Sequence, residues 1–356
     1  MTFETTPLNY QSVNDPIVYV VYDSNAVDVT KLDYKYIAEC WVNGSKVFTA
    51  RSFPRPDNNR GVFDFATVIR EYITPTLTTD LGVGEWWVSV EIKIREEYNG
   101  SVTSVVATSS ARVFMNHYNG RINEFTKLDD YTDKPLSNRP TTIYMKSGTP
   151  KFYIPYFAHS SSSFNVTING STTAVTPAAA NSLININIAN SLTSDYTAVI
   201  NGITYNVKVL CAGLYTNYYL HFLNKWGGFE TQLFNKVSKK SFDIEKKSYQ
   251  QLPYRVSSSG VVSVIDSGIM HEQKTTFAST FKEKLRISTD WLNDDEYVWL
   301  AQLMVSPMVY LEDTDGTFYP VQISNSTYEN KEHLVDRLSN LVIDLDFNTS
   351  FKTQFR

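Results

Sequence analysis

The stretch Leu214-Tyr-Thr-Asn-Tyr-Tyr-Leu-His-Phe-Leu-Asn-Lys-Trp-Gly-Gly-Phe-Glu-Thr-Gln-Leu-Phe234 is the densest aromatic segment of the chain. The Gly227-Gly228 pair marks a tight reversal, so the stretch is expected to be a β-hairpin. Side chains alternate between the two faces of a strand. On the incoming arm Tyr218, Leu220 and Phe222 therefore share one face, and Tyr219, His221 and Leu223 share the other. Both faces are largely apolar, and such a strand is covered on both sides by a second sheet, a helix or another copy of the protein. Trp226 and Phe229 flank the reversal and are expected to pack beside it. The hairpin then serves as the element that joins the modules before and after it. Tyr218, Tyr219, Phe222, Trp226, Gly227, Gly228 and Phe229 are accordingly candidate assembly or packing residues, with Trp291 as an eighth further along.

Outside the hairpin the signals are also those of a mainly β protein. Asn43-Gly44, Asn99-Gly100, Asn169-Gly170 and Asn201-Gly202 each separate two runs rich in β-branched and aromatic residues, which is the mark of a type I′ hairpin turn. Val88, Val90, Ile92 and Ile94 alternate with Ser89, Glu91, Lys93 and Arg95, predicting one buried and one wet face. Asp64 precedes Phe65, Val68, Ile69, Tyr72 and Ile73 at helical spacing, and Pro75 follows. Residues 1–118 thus read as a β-sandwich with one helix. Residues 119–149 turn to Gly, Asn, Asp and Pro and read as a connection.

Residues 150–210 read as a small immunoglobulin-like β module lacking the Cys-Trp-Cys core of true immunoglobulin domains. The apolar/Asn alternation of residues 183–188 is expected to leave amides on one face, solvated or meeting a partner. Residues 211–356 read as a C-terminal unit of hairpin, helix and sheet. There Asn293 is the expected N-cap, Asp294, Asp295 and Glu296 supply first-turn charge, and Tyr297, Leu300, Leu303 and Met304 form the buried stripe ended by Pro307. Met308–Glu312 and Thr317–Ile323 make a hairpin closed by Asp313–Gly316, and residues 340–347 alternate as a last strand. Residues 275–288 alternate imperfectly, leaving strand and helix both open. The fold class is therefore tandem β-sandwich modules with a few amphipathic helices and a C-terminal sheet-plus-helix unit.

A chain of 356 residues suggests two or three domains. The aromatic fraction, 14%, is high beside only 19% charged residues, which favours sheet surfaces and interfaces. A net charge of -5 without long basic runs argues against general nucleic-acid binding. Cys40 and Cys211 each sit in an apolar strand-like run and read as buried free thiols, since two residues cannot make a structural zinc site. The first residues lack the pattern of a signal peptide, and no apolar run reaches the ~20 residues of a membrane span. The six Asn-x-Ser/Thr triplets read as turn chemistry.

Each chemical candidate has a plainer structural explanation. His117, His159, His221, His271 and His333 are scattered without ligand spacing and read as surface or packing residues. Asp313 to Gly316 opens like a calcium loop but lacks the later ligands, so a hairpin turn is expected. Asp294, Asp295 and Glu296 suggest a glycosidase pair, yet helix capping accounts for them. Asp129, Asp130 and Asp133 fall in the connection and read as solvated. No catalytic, cofactor or metal residue is assigned, and no cofactor is expected. Trp86, Trp226 and Trp291 are sugar-stacking platforms in an alternative reading as a carbohydrate-binding or receptor-recognition module.

Several segments together resemble structural proteins of tailed bacteriophages that infect Bacteroidetes. They are Tyr36-Ile-Ala-Glu-Cys-Trp-Val-Asn-Gly44, Gly61-Val-Phe-Asp-Phe-Ala-Thr-Val-Ile-Arg-Glu-Tyr-Ile73, Leu136-Ser-Asn-Arg-Pro140, Tyr219 to Phe229, and Trp291 through Asp313 leading to Tyr319-Pro-Val-Gln-Ile-Ser-Asn-Ser326. The resemblance implies a virion component of the tail, baseplate or head-tail adaptor, without enzymatic activity. Its expected partners are copies of itself, in a ring or multimer, and other tail or connector proteins, with no sequence-specific nucleic acid. The expected location is the host cytoplasm during assembly and then the virion.

Overall fold

The computed structural model describes residues 1–77, 86–118, 133–148, 151–210, 214–266, 268–313, 315–325 and 340–352. Among the described residues the fold is mainly β, with 51% strand and 7% helix in several sheets and two α-helices. Two compact units divide the chain: Met1–Cys211 with His221–Gln232, and Ala212–Leu220 with Leu233–Arg356.

The first unit begins with a sandwich. A three-stranded sheet of Thr2–Thr5, Val18–Tyr22 and Gly61–Asp64 lies over a larger sheet. The larger sheet runs Gln11–Ser12, Arg112–Met115, Trp87–Tyr98, Lys35–Val42 and Ser45–Ser52, with two short strands added along Trp87–Tyr98. Tyr19 and Val21 from one sheet and Tyr36, Ala38, Cys40, Val90 and Ile92 from the other form the core. The alternation at 88–95 is as expected: Val88, Val90, Ile92 and Ile94 are buried while their neighbours are half-exposed. Asn43/Gly44, Asn99/Gly100, Asn169/Gly170 and Asn201/Gly202 all have positive φ at both positions, as a type I′ turn requires.

The expected helix after Asp64 is shorter than its pattern. Helix α1 is Ala66–Arg70. The Asp64 carboxylate accepts from the backbone N–H of both Ala66 (2.9 Å) and Ile17 (3.0 Å), fastening the helix start to the residue that leads into the Val18–Tyr22 strand. After Arg70 the backbone tightens into three-residue bonds, Tyr72 to Ile69 and Ile73 to Arg70. Pro75 disfavours helical geometry at Thr74, so the pattern cannot continue.

A second module within the same unit pairs Lys134–Pro135, Tyr153–Ala158 and Ser182–Asn187 in one sheet. Its other sheet runs Thr142–Lys146, Ile203–Leu210, Tyr196–Ile200, Phe164–Ile168 and Ser171–Val175. Thr142–Lys146 joins it in parallel to Ile203–Leu210. The stretch read as a connection thus supplies two strands of this module, and Ile143 and Met145 are buried at alternate positions of one of them. Residues 119–132, with Asp129 and Asp130, lie outside the described residues.

The amides at 183–188 need a correction. Asn185 is only 2% exposed, because the Ser182–Asn187 strand is covered on both faces. Asn185 stands opposite Pro155, and Leu183 opposite Phe157, so these four share the face turned away from the module's own core. The 214–234 hairpin reaches that face, as described below.

In the second unit, Val309–Glu312, Phe318–Ile323, Val342–Lys352, Lys274–Ser288 and Lys239–Gln250 follow one another across a sheet. Residues left open between helix and strand are therefore a strand, 15 residues long. Helix α2, Asp294–Val305, has a full capping box: the Asn293 side chain accepts from Glu296 N–H, and the Glu296 carboxylate accepts from Asn293 N–H. Its buried side includes Tyr297, Leu300 and Leu303 as expected, with Trp299 in place of the half-buried Met304. The turn after Glu312 is closed by Asp313 N–H to Thr317 O and Gly316 N–H to Asp313 O, both 2.9 Å.

Candidate functional site

The hairpin consists of Tyr218–Leu223 and Phe229–Phe234, and its inner part, His221–Gln232, belongs to the first compact unit. The reversal is organised by Asn224. Its side-chain carbonyl accepts from the N–H groups of Trp226 (3.0 Å) and Gly228 (3.1 Å), and its backbone carbonyl accepts from Gly227 N–H. The Asn224 amide nitrogen donates to Leu136 O and to the Glu230 carboxylate, each at 2.7 Å. Every one of these groups is buried, so each bond replaces water that cannot enter.

The two glycines have different tasks. Gly227 has φ of 83°, and a Cβ there would lie 2.0 Å from the carbonyl oxygen of Asn116 in the first sandwich. Gly228 has ordinary φ, but its Cβ would lie 2.3 Å from Pro155 of the second module. The turn is thus wedged between the two modules, with no room for a methyl group on either side. Lys225 O accepts from Tyr118 N–H at 2.8 Å, Thr231 O accepts from the Arg139 guanidinium at 3.0 Å, and Thr231 Oγ1 accepts from Tyr153 N–H at 2.9 Å. His221 Nδ1 lies 2.8 Å from the same Thr231 hydroxyl.

Around the wedge, Trp86 and Met115 of the first sandwich, Leu136, Phe157 and Leu183 of the second, and Trp226 of the hairpin form one apolar cluster. The Lys225 ammonium sits 4.3 Å above the Trp226 ring, and burial holds its pKa below the ordinary lysine value. Burial, followed by the Glu230 charge, pushes the nearby Tyr205 hydroxyl up to about 12. The arrangement is a joint that fixes two β modules to each other.

Of the candidate residues, Tyr219, Phe222, Trp226 and Phe229 are buried and Tyr218 is half-buried, so they pack inside the folded chain. Trp291 is 63% exposed. The sugar-platform reading is corrected for two of its three tryptophans: Trp86 is 1% and Trp226 6% exposed, and neither offers a ring face to a ligand. Asn224 was not singled out by sequence reasoning. Its one local signal is an amide four residues before a glycine, which is common in turns.

A second feature lies after the hairpin and includes residues 275–288, where the sequence leaves strand and helix both open. Lys239–Gln250 and Lys274–Ser288 pair along their length as an antiparallel ribbon. Val342–Lys352 covers the second of these strands only from Thr280 to Ser288. Beyond that point the ribbon is two-stranded among the described residues. It ends in two short pairings, Arg255–Val256 with Val262–Ser263 and Ile265–Asp266 with Ile269–Met270. Leu252, Val256, Val261, Val262, Ile269 and Met270 are each more than half exposed there.

The remaining chemical candidates stay apart. Cys40 is buried in the first sandwich, and burial pushes its thiol up to about 12; Cys211 and His333 lie outside the described residues. His117 is buried with Nε2 3.3 Å from Tyr10 O, and His159 meets the Tyr10 hydroxyl at 3.2 Å. Among the described residues, no three His, Cys, Asp or Glu side chains come close enough to hold a metal ion. No described helix is long and apolar enough to cross a membrane. Comparison with protein-family models and with curated proteins finds no match to the chain.

Proposed function

We propose that the chain is a non-enzymatic structural subunit of a tailed-bacteriophage virion, present in several copies in the tail, baseplate or head-tail adaptor region. The attribution to a phage rests on the sequence resemblance. The observation that carries the assembly reading is the two-stranded ribbon whose end presents a cluster of apolar side chains to solvent. Exposed apolar side chains concentrated at one end of a ribbon are suited to being covered in an assembly, and a subunit in a ring or stack covers them with a neighbour. The rigid joint at Asn224 suits the same role, since it keeps two modules in one fixed geometry.

Mass photometry of the purified chain over a concentration series tests the reading, together with mass spectrometry of purified particles. Discrete multimers and a virion-borne copy number above one are expected. A strict monomer at high concentration that is missing from particles overturns it. The carbohydrate-binding alternative now depends on Trp291 alone of its three platforms. A glycan array and tryptophan-fluorescence titration that stay flat across bacterial surface sugars remove it.

A further inference from the structure

We propose that the apolar tip of the ribbon of one copy docks on the outward face of helix α2 of a neighbouring copy. The inference rests on the multi-copy reading above and names the two surfaces that would join. Residues 246–279 hold about a third of the large apolar side chains exposed among the described residues. A two-stranded ribbon gains little stability by itself, so a tip this apolar has its partner in an assembly.

The ribbon does not invite a partner strand along its side. Lys239–Gln250 ends the order of its sheet, and Lys239, Lys240, Lys246 and Lys247 stand exposed on it. Lysines on an edge strand oppose strand addition, because pairing would bring their charges together and desolvate them. Contact is therefore left to the side chains of the tip.

Charge identifies the partner as a second copy. Residues 239–288 contain nine Lys and Arg against five Asp and Glu, while the rest of the chain contains 23 against 32. A basic arm on an otherwise acidic chain is complementary to the body of its own neighbours. The outward face of α2 offers both properties the tip needs. Asp294 and Asp295 lie four and three residues before Val298, and Val305 lies seven after it, so all four share one side of the helix. All four are exposed, as is Trp291 just ahead of the N-cap. Acidic and apolar groups there face basic and apolar groups on the arm, which has Lys246, Lys247 and Lys274 beside its apolar residues. Because the two surfaces differ, the contact is head-to-tail, and its repetition yields a ring or a filament.

The test uses the full chain in two variants. The arm variant is Ile269→Asp with Met270→Asp, and the face variant is Val298→Arg. All three positions are exposed, and thermal melts within a few degrees of the parent verify folding. Leu252→Glu is an independent arm variant should the first misfold. In mass photometry at a concentration where the parent is multimeric, each variant alone is expected to be a monomer. Mixed in equal amounts they are expected to form a dimer and stop, since the arm variant keeps an intact face and the face variant an intact arm. If the parent assembles and the arm variant assembles equally well, the tip meets something else and the proposal falls while the multi-copy reading stands. If both variants are monomeric but the mixture gives no dimer, the two surfaces are not partners. A parent that is monomeric throughout removes the multi-copy reading and this inference with it.

Discussion

Gly227 and the backbone carbonyl of Asn116, 111 positions apart in the chain, approach so closely that a Cβ on the glycine would sit 2.0 Å from the carbonyl oxygen. The glycine also holds a φ of 83°. Gly227→Ala therefore meets two penalties, about 1 kcal/mol for the left-handed backbone and about 1–3 kcal/mol for the overlap. Gly100 has a similar φ of 74° but open space around it. Gly100→Ala is expected to cost only about 1 kcal/mol. Urea unfolding of both variants separates the two terms; equal losses would show that the wedge is not tight.

Asn224→Ala strands the Leu136 carbonyl and the N–H groups of Trp226 and Gly228 in a dry interior. Each such group costs about 1–3 kcal/mol, so a total loss of about 2–4 kcal/mol is expected after local relaxation. Asn224→Asp adds a pH signature. A carboxylate at 224 would face both Leu136 O and the Glu230 carboxylate, and burial with a like charge raises its pKa in the folded state. Stability conferred by the protonated form is present at low pH and lost as pH rises through that raised value. The gap between variant and parent should widen from pH 5 to pH 8, and a flat gap would contradict the assigned contacts.

Three tryptophans should respond by location. Trp226→Ala and Trp86→Ala open cavities in the cluster at the joint and are expected to cost about 3–5 kcal/mol each. Trp291→Ala changes stability by no more than about 0.5 kcal/mol, because its ring is mostly in water. Thermal melts suffice. A Trp226→Ala variant that folds and assembles like the parent would mean the hairpin is peripheral.

His117 supplies a pH dependence of its own. Burial holds its pKa below the ordinary histidine value, while the bond to Tyr10 O and the charge of Asp15 offset this only in part. The unfolded chain therefore takes up a proton first as pH falls below about 6.5. Stability is intact above that pH and declines beneath it. Urea midpoints at pH 7.5 and 5.5 should fall less in His117→Gln than in the parent; identical slopes would place the acid sensitivity elsewhere.

The α2 cap is the simplest case. Asn293→Ala removes the acceptor for Glu296 N–H at 2.8 Å and is expected to cost about 1 kcal/mol, read from the shift in unfolding midpoint.

Much of the architecture was legible because its causes are local. An Asn-Gly pair takes positive φ wherever it lies, and Val88 to Arg95 alternate whatever covers them, so turns and strands at these places follow from the residues alone. Asn293 and Glu296 cap α2 for the same reason. Other outcomes depend on surfaces that meet only in the folded chain. Trp86 and Trp291 are the same residue type, yet one is sealed beneath the joint and the other faces water. Asn185 is buried because a hairpin from another part of the chain reaches its face, and no periodicity at 183–188 can encode that. Lys274–Ser288 becomes a strand because Lys239–Gln250 and Val342–Lys352 bond to it from both sides. The sequence of 214–234 predicts a hairpin joining the modules before and after it, whereas its turn is wedged between the two modules that precede it, and the residue that holds it, Asn224, carries no such signal. An amide becomes a keystone only when Leu136 O, Glu230 and two backbone N–H groups converge on it, and sequence distance carries no record of that convergence.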